Sequence, residues 1–246
     1  MSEFCLECLK QAVFRSRHFV NLHFYLQHIQ VARLAMALAL IPVGITSVSA
    51  HPHIFVNAKL DIVVDRHNQV QKLTQVWYFD PIFSASVVLD FDKNGNRKLD
   101  KEELQSLAHI IKQSLTEFNF FQSVNANGKE VVLNPPDTLT ADMIEGQLVL
   151  RLENTPGTPL VLQQGSTYQF SLYDPSFYVS VSFQKDVDIA VNGLPAFCGS
   201  SIERPDMNKI LSQSRAAYTE EFFANPRTSL DLALQLAPKL NVSCKK

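Results

Sequence analysis

The chain has 246 residues, with 22 basic against 24 acidic side chains, a formal charge of −2 and 46% apolar residues. That balance suits a globular protein and leaves no basic surplus for a nucleic-acid surface.

The first predicted element is a leader. The apolar run Leu34–Ile45 is too short for a bilayer-spanning helix, which needs roughly 20 residues. It has the length of a signal-peptide core, with Arg33 immediately before it and Lys10, Arg15 and Arg17 further upstream. Val48-Ser49-Ala50 then offers small residues to a signal peptidase, so residues 1–50 are expected to be cleaved and the mature chain to start at His51-Pro52-His53. An uncleaved N-terminal anchor is the alternative. The mature chain, 51–246, holds 18 basic and 22 acidic residues and reads as one domain. Removing the leader takes away Cys5 and Cys8. Cys198 and Cys244 remain, most simply as one disulfide in an oxidising compartment, with two thiolate metal ligands as the rival reading.

Along the mature chain, Ile54–Val64 and Val70–Phe79 read as a β-hairpin around Asp65-Arg66-His67-Asn68. Pro81 opens a short helix. Residues 101–118 form the clearest helix, with Leu104, Leu107, Ala108, Ile111, Leu115 and Phe118 on one face and Glu102 and Glu103 in its first turn. Short strands follow: 120–124, 131–133 after the turn Asn127-Gly128, 139–143, 148–152, 168–173, 177–183 and 187–191. Residues 206–223 and 228–237 are helix-compatible, and 240–244 reads as a last strand. The expected fold is α+β: an antiparallel sheet or sandwich with an EF-hand-like helix-loop-helix insertion at 81–118 and a helical C-terminal segment.

Two stretches could hold ions. On the EF-hand pattern Asp92, Asn94 and Asn96 take positions 1, 3 and 5. Lys98 offers its carbonyl at 7, Asp100 stands at 9 and Glu103 is the bidentate residue at 12. Arg97 occupies position 6, where the turn favours glycine, so the loop either binds Ca²⁺ or keeps the shape without the ion. At the new N-terminus, the α-amine and imidazole of His51 could chelate one ion, with His53 nearby. Pro52 lacks the N–H that an amide-based square-planar copper site would use. Zn, Ni or Co with imidazole and carboxylate ligands stays open, and so does a merely solvated terminus.

Asp80 and Asp174 are the candidate carboxylates, each followed by proline, although turn and capping roles fit them equally. His67 and His109 read as solvated. No GxSxG, HExxH or Gly-rich phosphate loop occurs, so no enzyme is expected. A copper redox enzyme using the N-terminal histidine is the minor alternative.

The His51-Pro52-His53 start, Trp77-Tyr78-Phe79-Asp80, the Asp92–Glu103 loop and the block Tyr173-Asp174-Pro175-Ser176-Phe177-Tyr178 together resemble one family over 51–205 and Cys244. It is the periplasmic family of unknown function, also described as an uncharacterised ABC-type transport component, encoded beside NicO/RcnA-like nickel/cobalt permeases. Its Zev-type branch serves zinc uptake. The resemblance implies a periplasmic protein that captures Zn²⁺ (or Ni²⁺ or Co²⁺) for an inner-membrane permease, with His51 and His53 as ligands. A calcium-stiffened interaction module is the competing function. This chain departs from the family pattern at Arg97, at Asn57 where Asp is commoner, and in a longer stretch over 206–238.

Overall fold

The computed structural model describes residues 54–206, 209–210 and 226–246. The predicted leader, His51, His53 and most of the expected helix over 206–223 lie outside them. The first strand, β1 (Ile54–Val64), alternates buried and exposed residues almost without a break. That period is what one buried sheet face requires. Asp65 closes the hairpin to β2 (Gln69–Phe79): its Oδ1 accepts the N–H groups of His67 and Gln69 at 2.8 and 3.0 Å.

Then come helix α1 (Pro81–Phe91), helix α2 (Lys101–Thr116), β3 (Gln122–Ala126), β4 (Lys129–Glu130) and β5 (Leu133–Asn134). The chain continues through β6 (Leu139–Ile144), β7 (Gln147–Pro156), β8 (Leu160–Val161), β9 (Thr167–Leu172), β10 (Val179–Ser182), β11 (Ile189–Asn192) and β12 (Cys198–Glu203). Helix α3 (Pro226–Leu236) and β13 (Lys239–Cys244) complete the described residues.

The strands form two sheets. One has the order β10-β1-β2-β7-β5, with β11 on β1, β6 on β7 and β8 on β2; the other runs β12-β13-β9-β3-β4. An all-antiparallel sheet is not what forms. β1 is antiparallel to β2 but parallel to β10 and β11, through Ile54↔Val179 and Leu60↔Ile189. β1 is therefore internal, with its two ends paired to two different strands. A strand buried on one face carries the same alternation whichever way its neighbour runs, so sequence alone did not reveal the direction.

The sheets share one apolar core. Trp77 on β2 stacks on Phe121 at 5.6 Å between ring centres. Gln75, also on β2, bonds across to Gln122 on β3 at 2.9 Å. The disulfide Cys198–Cys244 joins directly paired residues of β12 and β13.

Two expected elements shift for physical reasons. The strand expected from Phe120 starts at Gln122, because Asn119, Phe120 and Phe121 all take positive φ and form a left-handed turn. Of the strand expected at 131–133 only Leu133 is in a strand, opening the two-residue β5, while β4 ends before it at Glu130.

Candidate functional site

Three sequence segments meet at the start of β1. Asp80 caps α1: its Oδ1 accepts the N–H groups of Ile82 and Phe83, both at 2.9 Å. Pro81 at the first helical position fixes φ there and has no N–H of its own to satisfy. Asp80 Oδ2 reaches across to the N–H of Phe55 at 3.1 Å, and the Asp80 N–H returns to the Phe55 carbonyl at 3.0 Å. The β2–α1 corner is thereby tied to the second residue of β1.

Asp174 does the same for β10. It is 4% exposed. One oxygen accepts the N–H of Ser176 at 2.8 Å, the other the N–H of Val179 at 2.8 Å, and the Ser176 hydroxyl lies within 2.8 Å of both. Burial pushes this carboxyl above its ordinary value, against the pull of its hydrogen bonds. Val179 is the register partner of Ile54, and the Ile54 N–H donates to the Tyr178 carbonyl at 3.2 Å. The two Asp-Pro corners thus bracket the first two residues of β1, directly downstream of His51-Pro52-His53. Both carboxylates hold backbone groups, as turn and capping chemistry requires. A carboxylate has about four lone-pair sites. Asp80 and Asp174 each receive three donors, but Asp174 is buried, so an ion could reach it only by opening the corner it holds.

The second candidate lies between α1 and α2. Asp92 Oδ1 accepts the N–H groups of Gly95 and Asn96, and Oδ2 accepts that of Arg97 at 2.6 Å. Asn96 Oδ1 holds the Lys98 N–H, while Asn94 Nδ2 donates to Asp100 Oδ2 at 3.1 Å. Arg97 adopts φ 64°, the left-handed turn that glycine would take without strain. Glu103 is 5% exposed and spans the loop, accepting the N–H groups of Lys93 and Asp100. Asp100 and Glu103 also form a capping box that starts α2. The loop thus folds back on its own carboxylates.

His67 and His109 are both exposed. Among the described residues, no group of three or more His, Cys, Asp or Glu side chains is gathered closely enough to hold a metal. None of their helices is long and apolar enough to cross a membrane. Burial raises the phenols of Tyr173 and Tyr178, so both keep their protons at neutral pH.

Two functional-looking features escaped the sequence reading. Ser176 supplies a hydroxyl to Asp174; the Asp-Pro-Ser spacing of an Asx-type turn was the available signal. The buried amides Gln75, Gln122 and Asn154 left none, because isolated polar residues in apolar strands look like surface positions. Trp77 Nε1 donates to Gln75 Oε1 at 3.0 Å, which fixes the Gln75 amide and directs its Nε2 to Gln122 Oε1.

A family profile described as "Protein of unknown function (DUF1007)" matches residues 36–244. The chain belongs to that family. One relative, an uncharacterised protein of Haemophilus influenzae, is 22% identical over 201 residues, covering 80% of this chain and 93% of its own. Another, described as an "Uncharacterized 15.5 kDa protein in trpE 3'region" of Spirochaeta aurantia, is 26% identical over 105 residues. That match covers 43% of this chain and 74% of the Spirochaeta protein.

Proposed function

We propose that the mature protein is a periplasmic metal-capture component. It binds Zn²⁺, with Ni²⁺ or Co²⁺ as alternatives, and hands the ion to a cognate NicO/RcnA-like inner-membrane permease. The observation that supports this reading best is that Asp80 holds the Phe55 N–H and Asp174 holds Val179, the register partner of Ile54, on either side of the start of β1. The residue before Ile54 is His53, so a chain cleaved after Ala50 carries two imidazoles and a free α-amine within three residues of that strand start. Nitrogen donors joined by one carboxylate oxygen suit a borderline ion such as zinc. His51 and His53 are the nitrogen ligands in this reading and Asp80 supplies the oxygen. Asp174 holds β10 beside β1 and enters the ligand set only at the cost of that hold.

Protein isolated from its native compartment tests the reading. An N-terminus at His51 with about one equivalent of zinc, nickel or cobalt supports it. An uncleaved leader or metal-free protein that does not take up zinc contradicts it.

A second reading rests on the loop at 92–103. Arg97 accepts the strained left-handed turn and Glu103 lies buried across the loop, as a calcium-binding helix-loop-helix needs. Under that reading Ca²⁺ raises the melting temperature and Zn²⁺ does not, and Asp92→Ala with Glu103→Ala abolishes the rise.

A further inference from the structure

A separate feature lies on the far side of α2. β6 pairs with β7 and with no other strand among the described residues. The β6–β7 hairpin closes through Glu145 and Gly146, both at positive φ, with Ile144 opposite Gln147. A two-residue turn of this kind makes its flanking residues a hydrogen-bonded pair, and such pairs then alternate along the ladder. Thr140, Asp142 and Ile144 therefore face β7 with their backbone groups. Those of Leu139, Ala141 and Met143 face the free edge. The Met143 N–H is taken by the Asp142 carboxylate at 2.8 Å, which leaves Ala141 as the centre of the open edge.

Unpaired edges are a template for another strand, and proteins usually blunt or cover them. Here α2 lies alongside and leaves a groove of about 620 Å³ between itself and residues 137–142. Lys112 fixes one end, its Nζ donating to the Asp137 carbonyl at 2.7 Å. The floor is apolar, with Leu104, Ala108 and Leu139. The helix wall presents Lys101, Gln105, His109 and Lys112, a row that contains donors and no carboxylate. The strand wall presents the hydroxyls of Thr138 and Thr140, with the acidic residues Asp137 and Asp142 near its two ends. Six residues of strand extend roughly 20 Å, and α2 from Lys101 to Lys112 about 16 Å. The two walls match in length over about five residues of an added strand.

We propose that this groove is a peptide-binding site. An extended, acidic segment of a partner protein adds a strand to β6, pairing with the backbone of Ala141 and laying its carboxylates against Lys101, His109 and Lys112. Main-chain pairing gives the affinity and the basic row gives the choice of side chain. The site is independent of the start of β1 and of any metal.

The probe is a capped hexapeptide alternating valine and glutamate, titrated into ¹⁵N-labelled mature protein. Saturable shifts centred on the amides of Leu139, Ala141 and Met143 are expected. Binding should weaken at least tenfold for the valine–lysine counterpart and for the K101E/K112E protein. It should be lost when alternate peptide nitrogens on the pairing edge are methylated, a change that leaves the protein untouched. The proposal is overturned by no saturable shift, by shifts centred elsewhere, or by equal binding of the acidic and basic peptides. It is also overturned if the same amides shift with protein concentration alone, since the edge would then pair with a second copy of the chain.

Discussion

Asp80 and Phe55 are 25 residues apart in sequence, yet the carboxylate of one accepts the backbone N–H of the other at 3.1 Å. The same side chain caps α1. One residue therefore sets both the start of a helix and the start of the central strand. Asp80→Ala removes an N-cap, worth about 1 kcal/mol, and takes the carboxylate from the Phe55 N–H, which is exposed and can turn to water instead. A loss of about 1 kcal/mol in urea denaturation is expected. Asp80→Asn should retain much of the cap and lose less.

Asp174 makes stability depend on pH with an unusual sign for a carboxylate. Burial raises its folded value above the 3.8 of an ordinary aspartate. Between those two values the folded state keeps a proton that the unfolded chain has released. The group's contribution is thus complete below 3.8 and declines as pH rises through the raised value. Asp174→Asn has no such titration. Denaturation at stepped pH should show wild type losing stability relative to the variant as pH rises through this window; a constant difference would contradict the assignment.

Arg97→Gly should stabilise the helix-loop-helix. The backbone there holds φ 64°. Such a conformation costs a side-chain-bearing residue roughly 1–2 kcal/mol, part of which glycine's greater unfolded-state freedom offsets. A net gain of about 1 kcal/mol is expected from thermal or chemical denaturation in calcium-free buffer. If calcium fills the loop, the variant should also bind it more tightly.

Gly193 admits no side chain. A Cβ there would lie 2.2 Å from the Val64 carbonyl oxygen, and φ is 82°. Gly193→Ala combines left-handed strain with a backbone clash beside the β1–β11 pairing. It should cost about 3 kcal/mol, against near neutrality for alanine at the exposed Gly199, where nothing lies within 4 Å of the added Cβ.

Residues that act through local pattern were readable from sequence. The alternation of Ile54–Val64, the apolar stripe of α2 and the capping preference of Asp80 each follow from a few neighbours, and the structure contains all three. The cysteines pair as their even count suggested. What sequence could not supply is direction and convergence. Nothing in Val179–Ser182 states that it runs parallel to Ile54–Asn57, so the placing of the Asp80 and Asp174 corners on either side of the start of β1 was not derivable. The left-handed turn Asn119–Phe121 was equally hidden, because two phenylalanines ahead of a valine look like a strand. Gln75, Gln122 and Asn154 are legible only once two sheets are seen to face each other.

In the proposed function His51, His53 and Asp80 would hold an ion beside the Asp80 corner. The most direct test is a zinc titration, against a competing chelator, of protein beginning at His51, compared with the same protein carrying His51→Ala and His53→Ala. Both should also carry Asp92→Ala, so that the loop at 92–103 does not contribute. One tight equivalent is expected in the first protein and affinity at least a hundredfold weaker in the second. Equal affinity in the two proteins would place the metal elsewhere, and no binding in either would remove metal capture from the account.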